Sequence, residues 1–243
     1  MEKIKVAPEG SLEDVTNSDF LVRAVVFDLD GTLVDSLQDI ARAVNSTLEA
    51  HGRRGHPLPA FKGMVGWGLR RLLETASAAQ PFSSEEFDTV YQELVSTYRS
   101  NPVDHTRPYD GIVALLDSLQ GLVPLGVLSN KEDGMTKAIV RTLFPHEFHS
   151  VWGARPGKPH KPDPSSLWEM LDGWGVPRSQ CAYLGDSDVD METATRAGVF
   201  PCGAAWGFRG EAELRSAGAR VVFAQPRDFG LWLARHGAPV PVG

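Results

Sequence analysis

Two aspartates separated by a single residue form the first group of side chains in this 243-residue chain that could carry out chemistry. Asp28 and Asp30 follow an apolar run that predicts a β-strand, and Gly31 after them permits a sharp turn of the backbone. Residues i and i+2 of a strand point to the same side, so one carboxylate can attack a phosphorus atom while the other reaches the leaving oxygen. The pair therefore suggests a phosphoryl-transfer site, and leaves open the structural role of a turn for these residues.

A second group of acids follows another apolar run far along the chain, at Asp186, Asp188 and Asp190. Carboxylate oxygens are hard ligands that suit Mg²⁺, which takes one or two protein carboxylates together with substrate phosphate and water. Asp and Ser at strand ends also form turns and helix caps. Ser36 is predicted as such a cap, and Asp188 in a first helical turn can simply favour the helix macrodipole. The spacing fits a metal site and leaves these structural roles open.

The elements that must position both groups alternate along the chain. From residue 21 onward, short β-branched runs alternate with longer helical patterns, which predicts an α/β fold with a Rossmann-like, mainly parallel sheet flanked by helices. The predicted strands cover residues 22–29, 124–129, 150–152, 181–185, 199–205 and 220–223. The predicted core helices cover residues 111–120, 132–143, 164–174, 189–197, 211–217 and 227–235. Ligands bind outside the carboxyl ends of strands in such sheets, which is where both groups of acids emerge.

A helical insertion interrupts this alternation. Apolar residues recur at spacings of three and four, with no convincing strand between the patterns, over residues 39–50, 69–79 and 85–99. The predicted divisions are a polar N-terminal extension (1–20), an α/β core (21–36 and 109–236), an all-helical cap domain (37–108) and an irregular C-terminal tail (237–243).

Charge and composition disfavour several classes of function. The net charge of -7 argues against a protein that coats nucleic acid, because such binding needs a surplus of Lys and Arg. The chain contains no apolar run long enough to span a membrane and no basic-then-apolar signal pattern at its start. Cys181 and Cys202 lie inside apolar stretches and are predicted to be buried thiols. We expect a cytoplasmic protein with a small-molecule partner and with neither nucleic-acid nor membrane partners.

Four motifs in a fixed order resemble those of the haloacid dehalogenase superfamily. They occupy residues 28–32 (Asp-Leu-Asp-Gly-Thr), 127–130 (Val-Leu-Ser-Asn), 161–164 (Lys-Pro-Asp-Pro) and 184–190 (Leu-Gly-Asp-Ser-Asp-Val-Asp). The resemblance spans most of the chain. It implies an α/β core with a helical cap, Mg²⁺ as cofactor and an aspartyl-phosphate mechanism with Asp28 as the nucleophile and Asp30 as the general acid and base.

The resemblance also assigns roles to side chains in the later motifs. It implies that Ser129 binds the transferring phosphoryl group, with Asn130 as a helper. Lys161 takes the role of steadying the phosphoryl oxygens and the nucleophile, whereas the neighbouring Lys158 lacks the Lys-Pro-x-Pro context. The implied Mg²⁺ ligands are Asp28 and Asp186 directly, the main-chain carbonyl of Asp30, and Asp190 through a water molecule.

The acid at position 30 favours phosphoester chemistry, because dehalogenases of the superfamily lack an acid there and its ion pumps carry Thr. The insertion resembles the helical cap of the phosphoglycolate phosphatase and β-phosphoglucomutase branch, and its Val-Gly-x-Gly run looks more like the first of these. In the loop 62–71, Gly66, Trp67 and Arg70 are the predicted substrate contacts. Two structural alternatives remain there, packing for Trp67 and a solvated helix face for Arg70.

The expected function is a Mg²⁺-dependent phosphatase that hydrolyses a small, phosphoglycolate-like phosphate ester through an aspartyl phosphate. A sugar-phosphate mutase with the same aspartates is one alternative. A non-catalytic binding module that kept the fold is the other.

Overall fold

The computed structural model describes residues 20–145 and 148–237. The predicted N-terminal extension and C-terminal tail therefore lie outside the described residues, apart from Phe20 and Gly237. Phe20 packs on the core, because its ring stacks on that of Phe200 with 4.5 Å between the centroids.

The strands and helices are numbered here along the chain. The strands are β1 (Ala24–Phe27), β2 (Val34–Asp35), β3 (Arg107–Pro108), β4 (Leu125–Glu132), β5 (Ser150–Ala154), β6 (Cys181–Gly185), β7 (Phe200–Ala204) and β8 (Val221–Phe223). The α-helices are α1 (Leu37–Ala50), α2 (Leu69–Ala76), α3 (Ser84–Ser100), α4 (Ile112–Leu119), α5 (Asp133–Leu143), α6 (Ser165–Trp174), α7 (Asp188–Ala197), α8 (Glu211–Ser216) and α9 (Pro226–Arg235).

Six parallel strands form the central sheet in the order β5-β4-β1-β6-β7-β8. The chain runs from β1 to β4 and β5 on one side, and then returns to build β6, β7 and β8 on the other. The strand order therefore reverses at β1, and in open α/β sheets ligands bind at this switch point, outside the carboxyl ends of the strands. The predicted α/β fold with a parallel sheet flanked by helices is confirmed.

Apolar side chains cover both faces of the sheet, as the fully buried sequence of β1 requires. Successive residues of a strand point to opposite faces. Val25 and Phe27 accordingly join a cluster with residues of α4, α5 and α9, whereas Ala24 and Val26 join one with residues of α6 and α7. Both faces of β1 are thus fixed by packing, which holds the end of this strand in place.

The segment between β2 and β3, residues 36–106, is here called the cap. Its helices α1, α2 and α3 bury their own apolar cluster, which includes Val44, Leu73 and Leu94. The chain enters and leaves the cap through β2 and β3, which pair with each other in antiparallel orientation. The predicted domain boundaries at 37 and 108 stay a prediction, and this pairing supplies a physical reason for them.

The predicted elements agree with the observed ones to within three residues at each end. β4 continues to Glu132, because Glu132 pairs with Ala154 beyond an irregularity that follows Leu128. The sequence patterns did not predict β2 and β3, which have two residues each and are too short to show a period. Cys181 and Cys202 are free and buried, as predicted. Among the described residues, none of the helices combines the length and apolarity needed to cross a membrane.

Truncating a buried residue of α4 tests this packing. Leu116 is fully buried against the sheet, whereas Val113 in the same helix is 41% exposed. Leu116→Ala leaves a cavity in the core and should lower the free energy of unfolding by about 2–5 kcal/mol. Val113→Ala is the matched control and should change it by less than about 0.5 kcal/mol. Denaturant unfolding measures both values, and equal losses would contradict the packing described for α4.

Candidate active site

Asp28 lies directly after β1, at the switch point of the sheet. It is 7% exposed, and its Oδ1 accepts a hydrogen bond from Lys161 Nζ at 2.7 Å. Burial and the charge of the Asp190 carboxylate raise the pKa of Asp28, Lys161 lowers it, and the net result is a pKa of about 7. The carboxylate of Asp28 is thus held in an environment that resists its charge unless cations are near.

Lys161 joins two of the buried acids. Its Nζ also donates to Asp190 Oδ1 at 2.7 Å and to the Tyr183 hydroxyl at 3.1 Å. Burial acts to lower the pKa of Lys161, but the carboxylates of Asp190 and Asp28 outweigh it and the pKa lies well above its usual value. Lys158, in contrast, is exposed and pairs with Glu169 at 3.0 Å. The structure therefore brings Lys161, and not Lys158, to the acids.

Asn130 holds the backbone of Lys161 in place. Its Oδ1 accepts a hydrogen bond from the Lys161 amide at 2.8 Å, and its Nδ2 donates to the carbonyls of Lys161 and Gly66, both at 3.0 Å. An amide side chain has two N–H donors, and both are occupied here. The predicted contact of Asn130 with a phosphoryl group is thus not supported for its side chain, which positions Lys161 instead. Ser129 lies beside it, 4% exposed.

Three carboxylates lie close enough to hold one metal ion. Oxygen atoms of Asp28, Asp186 and Asp190 lie within 4.8 Å of one another. Burial raises the pKa of Asp186 well above its usual value, and the charges of Asp190 and Asp28 add to this effect. Lys161 alone does not balance three buried carboxylates. The residual negative charge and the oxygen-only donor set fit a divalent cation such as Mg²⁺.

The hydrogen bonds of these acids separate direct from indirect metal ligands. Both oxygens of Asp190 already accept hydrogen bonds; its Oδ2 does so from the amide and hydroxyl of Ser187, at 3.1 and 2.6 Å. Asp186 Oδ2 accepts one from the Phe208 amide at 2.7 Å, whereas within the described residues neither Asp186 Oδ1 nor Asp28 Oδ2 receives a hydrogen bond. Asp28 and Asp186 thus have oxygen atoms free for direct coordination, and Asp190 fits the outer position.

Gly31 makes this close approach of two strand ends possible. Its φ of +88° is in the left-handed region, and a Cβ at this position would overlap the carboxylate of Asp186. Only glycine meets both conditions without strain.

Asp30 is held by two hydrogen bonds that the sequence did not reveal. Ser36 Oγ donates to Asp30 Oδ1 at 2.5 Å, and Lys131 Nζ donates to the same oxygen at 2.5 Å. Ser36 occupies the N-cap position of α1, as predicted, but its hydroxyl makes no capping hydrogen bond and binds Asp30 instead. The sequence patterns did not predict that Lys131 belongs to the site. The run of three polar residues at the end of a buried strand, Ser129 to Lys131, was the signal that could have indicated it.

A small cavity of about 50 Å³ lies in front of Asp28 and Asp30, between the core and the cap. The core lines it with Asp28, Asp30, Ser129, Asn130, Lys131, Glu132 and Met135, and the cap with Ile40, Val65, Gly66, Gly68, Leu69, Leu72 and Tyr98. Gly68 is needed at this boundary, since its φ is +87° and a Cβ would lie 3.2 Å from the Asn130 carbonyl.

Of the three predicted cap contacts, only Gly66 lines this cavity. Trp67 and Arg70 line an outer groove instead. Arg70 pairs with Asp88 at 2.7 Å, and the guanidinium of Arg71 lies 4.2 Å from the centroid of the Trp67 ring. Substrate contact by Trp67 and Arg70 is therefore not supported by this arrangement, because neither residue lines the cavity in front of Asp28.

The core also binds the cap loop through Arg209. Its guanidinium donates to the carbonyls of Lys62, Gly63 and Val65, the last two at 3.3 and 3.2 Å. The contact of Asn130 with Gly66 continues this row of hydrogen bonds. Donors of the core thus hold the backbone of the cap loop over the cavity.

A switch point with buried acids, two buried lysines and a covered cavity defines an α/β enzyme site for small anionic ligands. The family described as Haloacid dehalogenase-like hydrolase matches residues 25–204. The chain belongs to this family, which confirms the predicted resemblance.

Within this family, the chain is similar to several phosphoglycolate phosphatases. Phosphoglycolate phosphatase of Rhodospirillum rubrum is 35% identical over 229 residues, covering 91% of this chain and 93% of that protein. Phosphoglycolate phosphatase of Aquifex aeolicus is 31% identical, with coverages of 88% and 98%. A crystal structure from Lactobacillus delbrueckii subsp. bulgaricus, provisionally named phosphoglycolate phosphatase, matches with a TM-score of 0.82 and 28% identity, over 88% of this chain and 99% of that one. The chain is a phosphatase-type hydrolase, and the prediction of an enzyme is confirmed.

The raised pKa of Asp28 predicts a pH-dependent stability. The unfolded chain loses the proton of Asp28 near pH 3.8 and the folded chain near pH 7, so between these values ionisation increasingly opposes folding as the pH rises. Asp28→Asn cannot ionise. With a chelator present, the unfolding temperature of the variant relative to the wild type should therefore rise between pH 5 and pH 7. A difference that stays constant over this range would contradict the raised pKa.

Proposed function

We propose that the protein is a Mg²⁺-dependent phosphatase of small phosphate monoesters such as phosphoglycolate, and that it acts through an aspartyl phosphate on Asp28. The observation that carries the proposal is the cluster of Asp28, Lys161, Asp186 and Asp190. Asp28 and the nearby Asp30 line a small covered cavity beside this cluster. The names of the relatives support the same reaction and substrate.

In this reaction Asp28 attacks phosphorus while Asp30 gives a proton to the leaving oxygen. Asp30 then takes a proton from the water that attacks the aspartyl phosphate, which releases phosphate and restores Asp28. The charge on the phosphoryl oxygens is shared by Lys161, Ser129 and the backbone amides after Asp28. Asp28, Asp186 and the main-chain carbonyl of Asp30 would hold Mg²⁺ directly and Asp190 would hold it through water, and the bound ion would supply positive charge for the phosphoryl oxygens.

The cavity wall favours this reaction over the sugar-phosphate mutase alternative. The side chains that face the acids from the cap include Ile40, Val65, Leu69 and Leu72, which offer no hydrogen bonds. A phosphorylated sugar would bury hydroxyl groups against them, and a buried hydroxyl without a partner is unfavourable. The intact acids and lysine disfavour the non-catalytic module. We also propose a cytoplasmic location, which the two free cysteines support and cell fractionation would test.

Asp28→Asn tests the nucleophile. The substitution should reduce release of phosphate from p-nitrophenyl phosphate and phosphoglycolate to background, because an amide oxygen cannot form the covalent intermediate. The wild type should lose turnover on chelation and regain it with Mg²⁺. Asp188→Asn is the matched control, since Asp188 lies in the next helix outside the acidic cluster, and it should remain active.

Two outcomes would contradict the proposal. Wild-type turnover by Asp28→Asn would remove Asp28 as the nucleophile. Interconversion of a sugar phosphate with little release of phosphate would identify a mutase.

Asp30→Asn tests the acid and base. Turnover should fall by about 10²–10⁴-fold. The rate of formation of the aspartyl phosphate should fall more with an alkyl phosphate than with p-nitrophenyl phosphate, because nitrophenolate leaves without needing a proton. Rapid quenching with radiolabelled substrate measures this step separately from hydrolysis of the intermediate. The same small loss with both substrates would remove Asp30 from the protonation step.

A further inference from the structure

Lys131 is a buried cation that no step of the proposed reaction uses. It belongs to β4, and its side chain is only 4% exposed. Its Nζ donates to Asp30 Oδ1 at 2.5 Å and to the Tyr98 hydroxyl at 2.6 Å. An ammonium group has three N–H donors, so one donor of Lys131 has no acceptor among the residues that the structure describes.

The surroundings of this donor select for negative charge. Lys131 lines the cavity in front of Asp28, and it is the only cation among the described residues that do so. The aliphatic part of the cap wall cannot compensate an anionic group that has lost its water. An anionic group that the substrate carries in addition to its phosphate would therefore depend on Lys131 for its partner.

The position of Lys131 also limits where that charge lies in the substrate. Asp30, which protonates the leaving oxygen in the proposed reaction, is in direct contact with Lys131. A group bound by Lys131 must then lie within a few bonds of the ester oxygen. A carboxylate on the ester carbon meets this condition, as in the phosphate monoester of a small 2-hydroxy acid.

We propose that Lys131 is a specificity-determining residue whose ammonium binds a substrate carboxylate next to the phosphoester. The inference rests on the proposed function and assigns a recognition site within it. Tyr98 is part of α3, so the group that orients Lys131 comes from the cap. Recognition of the carboxylate consequently needs core and cap together.

A simpler role for Lys131 predicts a different result. If its ammonium only balances the charge of Asp30, its loss impairs every phosphoester to the same degree. If it binds a carboxylate, the loss is larger for substrates that carry one. The ratio between two matched substrates separates the two roles.

The experiment compares 2-phosphoglycolate with ethyl phosphate, in which a methyl group replaces the carboxylate. The wild type should prefer 2-phosphoglycolate in kcat/KM. Lys131→Met should reduce this preference by about 10- to 100-fold, mainly through KM, because one charge-assisted contact is lost. Lys131→Arg keeps the charge and should restore part of the preference. Unfolding temperatures of the three proteins, measured in parallel, show whether each variant is folded.

Equal losses on both substrates would overturn the inference. So would a wild type without preference for the carboxylate, a result that needs no variant. If this wild type still hydrolyses p-nitrophenyl phosphate with Mg²⁺, the proposed function stands and only the role of Lys131 fails. If it hydrolyses none of the three esters, the proposed function itself fails.

Discussion

The ammonium of Lys161, placed between buried carboxylates, is the interaction on which the rest of the site depends. The sheet topology brings Asp28 and Asp186 together at the ends of neighbouring strands, where water screens their repulsion poorly. Lys161 compensates part of this charge, and losing one partner of such a buried pair typically costs about 3–5 kcal/mol. The loop that carries Lys161 must therefore be fixed, which Asn130 does through both polar atoms of the Lys161 backbone. The charge that remains accounts for the fit to a divalent cation.

The cap depends on the same framework. Asn130, which holds Lys161, also binds the Gly66 carbonyl, and Arg209 binds the preceding part of the cap loop. On the far side of the cavity, Tyr98 reaches Lys131. These contacts join the cap to residues that touch the acids, so the position of the cap and the arrangement of the acids are coupled. Enclosure of the cavity strengthens the electrostatic interactions inside it.

Membership of the family sets the chemistry more firmly than it sets the substrate, because one fold supports many reactions. In the proposed reaction, the features that would restrict the substrate lie around the leaving group: a small cavity, an aliphatic cap wall and the single cation Lys131 among the described lining residues. The outer groove with Trp67 and Arg70 is lined by charged and aromatic side chains that pair with one another. Recognition at the inner cavity, rather than at this groove, fits a substrate with few atoms beyond its phosphate.

The sequence by itself determined the parallel α/β fold, the helical insertion and the placing of Asp28, Asp30, Asp186 and Asp190 at the ends of strands or the start of a helix. These features are local, since strand and helix periods and turn-forming residues are encoded within a few positions. Which side chains meet was decided by the tertiary structure. Lys131 lies 101 positions from Asp30, and Tyr98 reaches Lys131 from helix α3 of the cap, so no spacing along the chain indicates either contact. Trp67 and Arg70 line the outer groove instead of the cavity because of how the cap lies on the core, which no pattern in the loop encodes.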